Sequence, residues 1–86
     1  MTPANRDRVI KLRGLSWNAG VDDVRQFFKD YDLSDSDVII ETKENGKKTG
    51  FALIFMPTVG DRDEAIKVLD RKDICNRYVE LFAVDV

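Results

Sequence analysis

The spacing between apolar residues changes several times along the chain, and the order of these changes constrains the fold more than any other feature. Four segments show the two-residue alternation that is typical of β-strands. They are Val9–Arg13, Val38–Lys43, Gly50–Met56 and Tyr78–Val86. In the first of them, Ile10 and Leu12 point to one face and the basic residues point to the other.

Two segments between these strands have the period of amphipathic helices. Their apolar stripes are Val21, Val24, Phe27, Phe28 and Tyr31 in the first, and Ala65, Ile66 and Leu69 in the second. Gly20 is expected to cap the first helix. Asp61 and Glu64 have the spacing of a capping box, so Asp61 is expected to cap the second.

The resulting order is β-α-β-β-α-β, which is that of the ferredoxin-like split βαβ fold. Asn45-Gly46 lies between the second and third strands and is a strong signal for a hairpin turn. We therefore predict an α+β domain with a four-stranded antiparallel sheet, two helices on one face of the sheet, and the other face open.

Length and composition set the domain organisation. The chain has 86 residues, of which 43% are hydrophobic and 35% charged, as is typical of one small globular domain. Residues 1–8 are expected to form a flexible N-terminal segment, too short and polar for a signal or transit peptide, and residues 9–86 a single domain. No apolar run approaches the ~18 residues of a membrane span, so we expect no membrane association. As an isolated domain, the chain is expected to be a monomer.

Two residue types are scarce, and their scarcity excludes several chemistries. The chain has no histidine and one cysteine, so it lacks an imidazole base, a histidine metal ligand, an internal disulfide and a thiolate cluster. We expect no metal site, no cofactor and no catalytic activity. Cys75 is expected to be a small, partly buried filler.

The distribution of charge is more informative than its sum. The net charge is −2 and the isoelectric point is about 5.0, whereas proteins that bind nucleic acids are usually basic. Positive charge is concentrated in residues 1–13, 42–50 and 71–77, and residues 21–41 are strongly acidic. Nucleic-acid binding is therefore compatible with this sequence if the fold brings the basic segments together.

The open sheet face is the first candidate site. Thr49 to Met56 resembles the octapeptide of RNA-recognition motifs, in which aromatic residues stack on bases. Phe51 matches an aromatic position, but Leu53 replaces another aromatic residue and Lys11 replaces the one expected on the first strand. The alternative is an apolar strip that a tail or a partner covers.

Two loops provide the other candidate residues. Trp17 lies in a polar loop beside Arg13, where it either contacts a ligand or covers the core as a lid. Arg77 and Tyr78 precede the last strand, which we expect to lie near that loop. Lys47 and Lys48, in the turn of the central hairpin, extend the same margin.

Three blocks of sequence resemble the quasi-RNA-recognition motifs of the heterogeneous nuclear ribonucleoprotein F and H family. They are Val9–Trp17, Val24–Phe28 and Asn76–Phe82. The resemblance implies that loops, rather than sheet aromatics, hold short guanine-rich single-stranded RNA. It assigns the enclosure of guanines to Arg13, Trp17 and Tyr78, and implies a role in splicing or other RNA processing in the nucleus or cytoplasm, with organelles not excluded.

The sequence departs from that family at two positions. Ser16 stands where the family usually has proline, and Phe51 stands where an acidic residue is common. One alternative is a protein-interaction module that binds a peptide through the sheet or a helix face. Another is a small phosphatase of the same topology, although the first loop lacks the glycines of a phosphate cradle.

Overall fold

A four-stranded antiparallel sheet organises the protein, whose computed structural model describes residues 8–84. Its strands are β1 (Val9–Arg13), β2 (Val38–Thr42), β3 (Lys48–Phe55) and β6 (Glu80–Ala83), in the order β2-β3-β1-β6. The two central strands are therefore β1 and β3. Apart from Arg8, the predicted N-terminal segment lies outside the described residues, as do the last two residues of the predicted final strand.

Two helices, α1 (Val21–Phe27) and α2 (Val59–Leu69), cover one face of this sheet. Strand alternation builds the core: Ile10 and Leu12 of β1 and Ile54 of β3 are fully buried and belong to the same cluster as Val24 of α1 and Ala65 of α2. Among residues 8–84, no helix covers the opposite face of the sheet. The prediction of an α+β, ferredoxin-like split βαβ fold is confirmed.

The beginnings of the helices follow local capping rules, with one difference from the prediction. At α1, Gly20 is the cap, and its N–H donates to the Asp23 carboxylate at 2.8 Å, which is the reciprocal bond of a capping box. At α2, the cap is Thr58, whose hydroxyl accepts from the N–H of Asp61 at 3.0 Å. The prediction of Asp61 as the cap is wrong, because the apolar stripe does not show how far the first turn extends.

The predicted final strand is divided in two. Tyr78 pairs with Asp73 in a separate small hairpin formed by β4 (Asp73–Ile74) and β5 (Arg77–Tyr78), and the main sheet resumes only at Glu80. The chain is held against the end of α2 at this point, since the N–H of Leu81 donates to the Asp70 carboxylate at 2.9 Å. A single strand from Tyr78 onward was therefore the wrong prediction.

The connections between elements are short and mostly polar. The Asn45-Gly46 hairpin is confirmed: the N–H of Lys47 donates to the Asn45 side chain, and Gly46 has a φ of 83°. A single 3₁₀ turn, Asp35–Asp37, precedes β2. Within residues 8–84, no helix has both the length and the apolar character that a membrane span requires.

Candidate nucleic-acid interface

Backbone contacts bring the loop after β1 to the start of β3. The N–H groups of Gly14 and Leu15 both donate to the carbonyl of Gly50, each at 2.9 Å. Gly14 has a φ of 92°, and a Cβ at this position would lie 3.3 Å from the carbonyl oxygen of Tyr78. The first loop, the beginning of β3 and the connection before β6 therefore meet at one margin of the sheet, as the sequence predicted.

Trp17 projects from the tip of the first loop. A backbone hydrogen bond from Ala19 to the carbonyl of Ser16, 3.0 Å long, closes a turn around it, and the Ser16 hydroxyl donates to the Asn18 side chain. The residue is 81% exposed. The alternative that Trp17 covers the core as a lid is therefore wrong.

A concave region of about 430 Å³, which we call the loop cleft, lies where these segments meet. Its lining residues are Arg13, Gly14, Leu15, Trp17, Lys48, Thr49, Gly50, Phe51 and Arg77. Five of the eight predicted site residues thus surround one volume, and three of the five are cationic.

Trp17 also borders a second hollow of about 430 Å³, on the side of the hairpin turn. This turn hollow is lined by Trp17, Gly46, Lys47 and Lys48. The ammonium group of Lys48 donates to the carbonyl of Ala19 at 2.6 Å, which links β3 to the end of the tryptophan loop. An exposed indole therefore lies between two hollows, with lysines on the turn side.

The β4–β5 hairpin carries Arg77 to the loop cleft. Cys75 and Asn76 both have positive φ, 53° and 67°, as in the tight turns that reverse a hairpin in two residues. Cys75 is exposed in this turn, so the prediction of a partly buried filler is wrong. Tyr78 is 60% exposed and is not among the residues that line the cleft, although its backbone contacts Gly14.

Comparison with known proteins identifies the family. The family model described as "RRM domain" matches residues 10–85. The chain belongs to the RRM domain family.

Three relatives place this RRM domain more closely. Heterogeneous nuclear ribonucleoprotein F of Macaca fascicularis is 36% identical over 77 residues, which is 86% of this chain and 18% of that protein. The crystal structure of G-rich RNA sequence binding factor 1 from Homo sapiens has a TM-score of 0.82 at 29% identity, covering 91% of this chain and 80% of that one. The Glorund qRRM2 domain has a TM-score of 0.80 at 26% identity, covering 91% and 89%.

The predicted resemblance to the quasi-RNA-recognition motifs of the heterogeneous nuclear ribonucleoprotein F and H family is confirmed. This RRM domain spans about a fifth of the length of the curated relatives that it matches.

The open sheet face of this RRM domain differs from an aromatic platform. Phe51 is half-buried and lies directly opposite Arg13 in the pairing of β3 with β1. The ammonium of Lys11 lies 4.6 Å from the centroid of the Phe51 ring, a cation–π contact. The ring therefore has a cation over it in place of the second aromatic residue that would complete a stacking surface.

Several acidic residues are engaged away from the loop cleft, although Glu80 lies opposite the cleft residue Arg13 in the pairing of β6 with β1. Arg25 pairs with Asp35 at 2.8 Å and also donates to the carbonyl of Leu33, which fixes the acidic loop beside α1. Tyr31, on the helical side, donates its hydroxyl to Glu64 at 2.9 Å. Burial, and then the hydrogen bond to Glu64 and neighbouring negative charges, raise the pKa of Tyr31 to about 12.

Sequence reasoning missed the backbone contribution to the site. Gly14 and Gly50 each have a φ of 92°, and both line the loop cleft. A glycine that directly follows a strand, as Gly14 does, is a signal of close backbone approach. Thr49 was also missed; its hydroxyl accepts from the N–H of Phe51 at 3.3 Å.

Proposed function

We propose that this RRM domain binds short, single-stranded, guanine-rich RNA in the loop cleft, and that it is a binding module without catalytic activity. The observation that carries the proposal is the position of Trp17, an exposed indole between two hollows with Arg13 and Arg77 on one side. Aromatic stacking holds any base by its π face. Guanidinium groups are the usual donors to guanine O6 and N7.

Each predicted residue has a distinct proposed part in binding. Trp17 stacks on a base in each hollow, so that two successive nucleotides flank it. Arg13 and Arg77 donate to guanine edges or phosphates in the loop cleft. Lys47 and Lys48 attract the phosphates of the nucleotide on the turn side.

Tyr78, Lys11 and Phe51 have lesser parts in this proposal. Tyr78 is exposed close to Gly14, where its ring is available to the same strand of RNA. Lys11 and Phe51 contact each other at the edge of the cleft, so Phe51 offers a partly covered ring rather than a free one.

The relatives support the guanine preference and suggest a cellular setting. One of them is named as a G-rich RNA sequence binding factor. The other two are heterogeneous nuclear ribonucleoprotein F and the Glorund qRRM2 domain. We propose that this domain serves splicing or another step of RNA processing, in the nucleus or cytoplasm.

The single tryptophan provides a direct test. Because Trp17 is the only tryptophan in the chain, its fluorescence reports on the proposed site alone. We expect a guanine-rich hexamer to quench it at lower concentration than uridine-rich or adenosine-rich hexamers. Equal affinities for the three would contradict the guanine preference, and binding without any change in fluorescence would contradict the site.

The salt dependence of the same titration tests the number of phosphate contacts. Among residues 8–84, four cations border the two hollows, namely Arg13, Lys47, Lys48 and Arg77. With a slope of about −0.7 per neutralised phosphate for single strands, log affinity against log salt should fall with a slope of about −1 to −3. A much steeper slope would show that cations elsewhere take part.

A further inference from the structure

A row of apolar side chains crosses the open sheet face away from the loop cleft. In the pairing registers, Ile39 lies opposite Leu53, Leu53 opposite Lys11, and Lys11 opposite Phe82. Ile39 and Phe82 are 48% and 43% exposed. We define the apolar row as Ile39, Leu53 and Phe82. It occupies β2, β3 and β6, and Lys11 on β1 separates Leu53 from Phe82.

The apolar row is separate from the proposed RNA site. None of its members borders the loop cleft or the turn hollow. Phe55, two residues beyond Leu53 on the same face, is half-buried and widens the apolar area away from the cleft. Exposed apolar surface of this kind commonly marks an interaction site.

Lys11 determines which occupant fits. Among residues 8–84, no carboxylate lies within 4.0 Å of its ammonium, whose contact is with the Phe51 ring. Lys11 lies in the row between Leu53 and Phe82 by register, while its ammonium reaches the Phe51 ring at the edge of the loop cleft. An occupant of the row comes close to this cation and takes water from it, and a nearby anion offsets that loss. An occupant with an anion between two apolar groups therefore suits the row.

Protein fits this requirement better than RNA or a second copy of the chain. Two of the row's positions, Ile39 and Leu53, are aliphatic and offer no ring on which a base can stack. A second copy, docked face to face about a two-fold axis, would bring the two Lys11 side chains together near its centre. An aliphatic side chain next to a carboxylate matches both the row and the cation.

We propose that the apolar row docks a short extended peptide with an acidic residue flanked, two positions away on each side, by large apolar residues. Strands lie about 4.8 Å apart, so four of them span about 14 Å, close to the ~13 Å between the first and fifth residues of an extended chain. Side chains at the first, third and fifth positions then point to the same face. The acidic residue lies over Lys11, between one apolar contact at Ile39 and Leu53 and another at Phe82.

The experiment uses synthetic pentapeptides and the full chain. Each peptide has leucine or phenylalanine at positions one and five, serine at two and four, and aspartate, glutamate, alanine or lysine at the centre. We expect fluorescence anisotropy to show tighter binding of the acidic-centred peptides. Lys11→Glu should invert the preference toward lysine-centred peptides, a result that lost folding or lost apolar contact would not produce.

Three further variants separate the possible occupants. Phe82→Ser and Ile39→Ser should each weaken peptide binding by roughly tenfold. Val68→Ser, which removes an exposed apolar side chain from α2, should not. The two row variants should retain the affinity of the wild type for a guanine-rich hexamer.

Several results would overturn the proposal. If peptide binding does not depend on the central residue, the acidic peptide is not the occupant. If Phe82→Ser lowers RNA affinity as far as Trp17→Ala does, the face binds RNA. If sedimentation shows a dimer that Phe82→Ser dissociates, the occupant is a second copy of the chain. Failure of guanine binding alone would count against the proposed function and leave the peptide test intact.

Discussion

The loop cleft and the apolar row lie on the same side of the molecule but are built in different ways. The side chains of the cleft project from loops, and their positions depend on backbone hydrogen bonds such as those from Gly14 and Leu15 to Gly50. The apolar row follows directly from strand register and needs no special backbone conformation. A backbone change should therefore damage the cleft, whereas only side-chain changes should damage the row.

The largest effect is expected from removing the indole. Trp17→Ala should lower the affinity for a guanine-rich hexamer by ~1–3 kcal/mol, since a stacking contact is lost. It should leave the free energy of unfolding within ~0.5 kcal/mol of the wild type, because the residue lies on the surface. Arg13→Ala and Tyr78→Ala should act in the same direction. RNA affinity can be measured by a labelled oligomer and unfolding by urea titration.

The control for that prediction is Val68→Ala, which truncates an exposed apolar residue of α2 that lines neither hollow. It should change neither quantity appreciably. A large loss of stability in Trp17→Ala would show that the indole supports the fold, and unchanged RNA affinity would remove it from the site.

Gly14→Ala tests whether the cleft depends on its backbone. A non-glycine residue in the left-handed region costs about 1–2 kcal/mol, and the added Cβ would approach the Tyr78 carbonyl at 3.3 Å. We expect the free energy of unfolding to fall by that amount and RNA affinity to fall with it. Urea unfolding and the RNA titration measure the two losses.

Gly60→Ala is the matched control, because Gly60 lies in the first turn of α2, outside the left-handed region, and has room for a Cβ. That substitution should instead increase stability by ~0.4–1 kcal/mol, chiefly because it restricts the unfolded chain. If both glycine variants behaved alike, the dependence of the cleft on the backbone of Gly14 would be contradicted.

Phe51→Ala sharpens the comparison at the boundary between the two regions. We expect it to weaken RNA binding by less than ~1 kcal/mol, below the effect of Trp17→Ala, since Lys11 lies over the ring. Both variants should be checked by circular dichroism and titrated with the same oligomer. A greater loss from Phe51→Ala than from Trp17→Ala would assign binding to an ordinary sheet platform.

Tyr31 lies in neither the loop cleft nor the apolar row, so its substitution tests the stability of the fold alone. Its pKa is raised from 10.0 to about 12 in the folded protein, so the folded state retains this proton more strongly than the unfolded chain. The stabilisation that results is complete below pH 10 and is lost as the pH rises toward 12. Stability should therefore fall less steeply over this interval in Tyr31→Phe than in the wild type.

Tyr78→Phe is the control, because it removes the same hydroxyl from an exposed position that does not contact Glu64. It should retain the steeper fall of the wild type between pH 10 and pH 12 in thermal or urea unfolding. Identical curves for Tyr31→Phe and the wild type would show that the contact with Glu64 does not contribute to stability.

Periodicity was sufficient to predict the fold because each strand face contributes directly to burial. The alternation of Ala52, Ile54 and Met56 with Phe51, Leu53 and Phe55 separates buried from half-buried positions as predicted. The β4–β5 hairpin was missed because its turn, Cys75-Asn76, has no glycine and its strands are two residues long. Such short elements contain too few residues to establish a period.

The site was predicted in part, for a related reason. Arg13, Trp17 and Arg77 were expected to meet because the topology brings their loops to one margin, and they line the same cleft. The contact of Lys11 with Phe51 and the hydrogen bond from Lys48 to Ala19 were not predicted. Both depend on the conformation of a long flexible side chain, which sequence spacing does not determine.

The position of Trp17 between two hollows has a consequence for how a guanine run would be occupied. A site that holds two neighbouring guanines fits a long run in many overlapping registers, and each register is a separate way of being bound. The apparent association constant then rises in proportion to the number of registers, and the binding free energy with its logarithm, although no contact is added. A protein that dissociates from one register can bind again one nucleotide away. Its residence time on a long tract therefore exceeds the lifetime of any one pair of stacked bases.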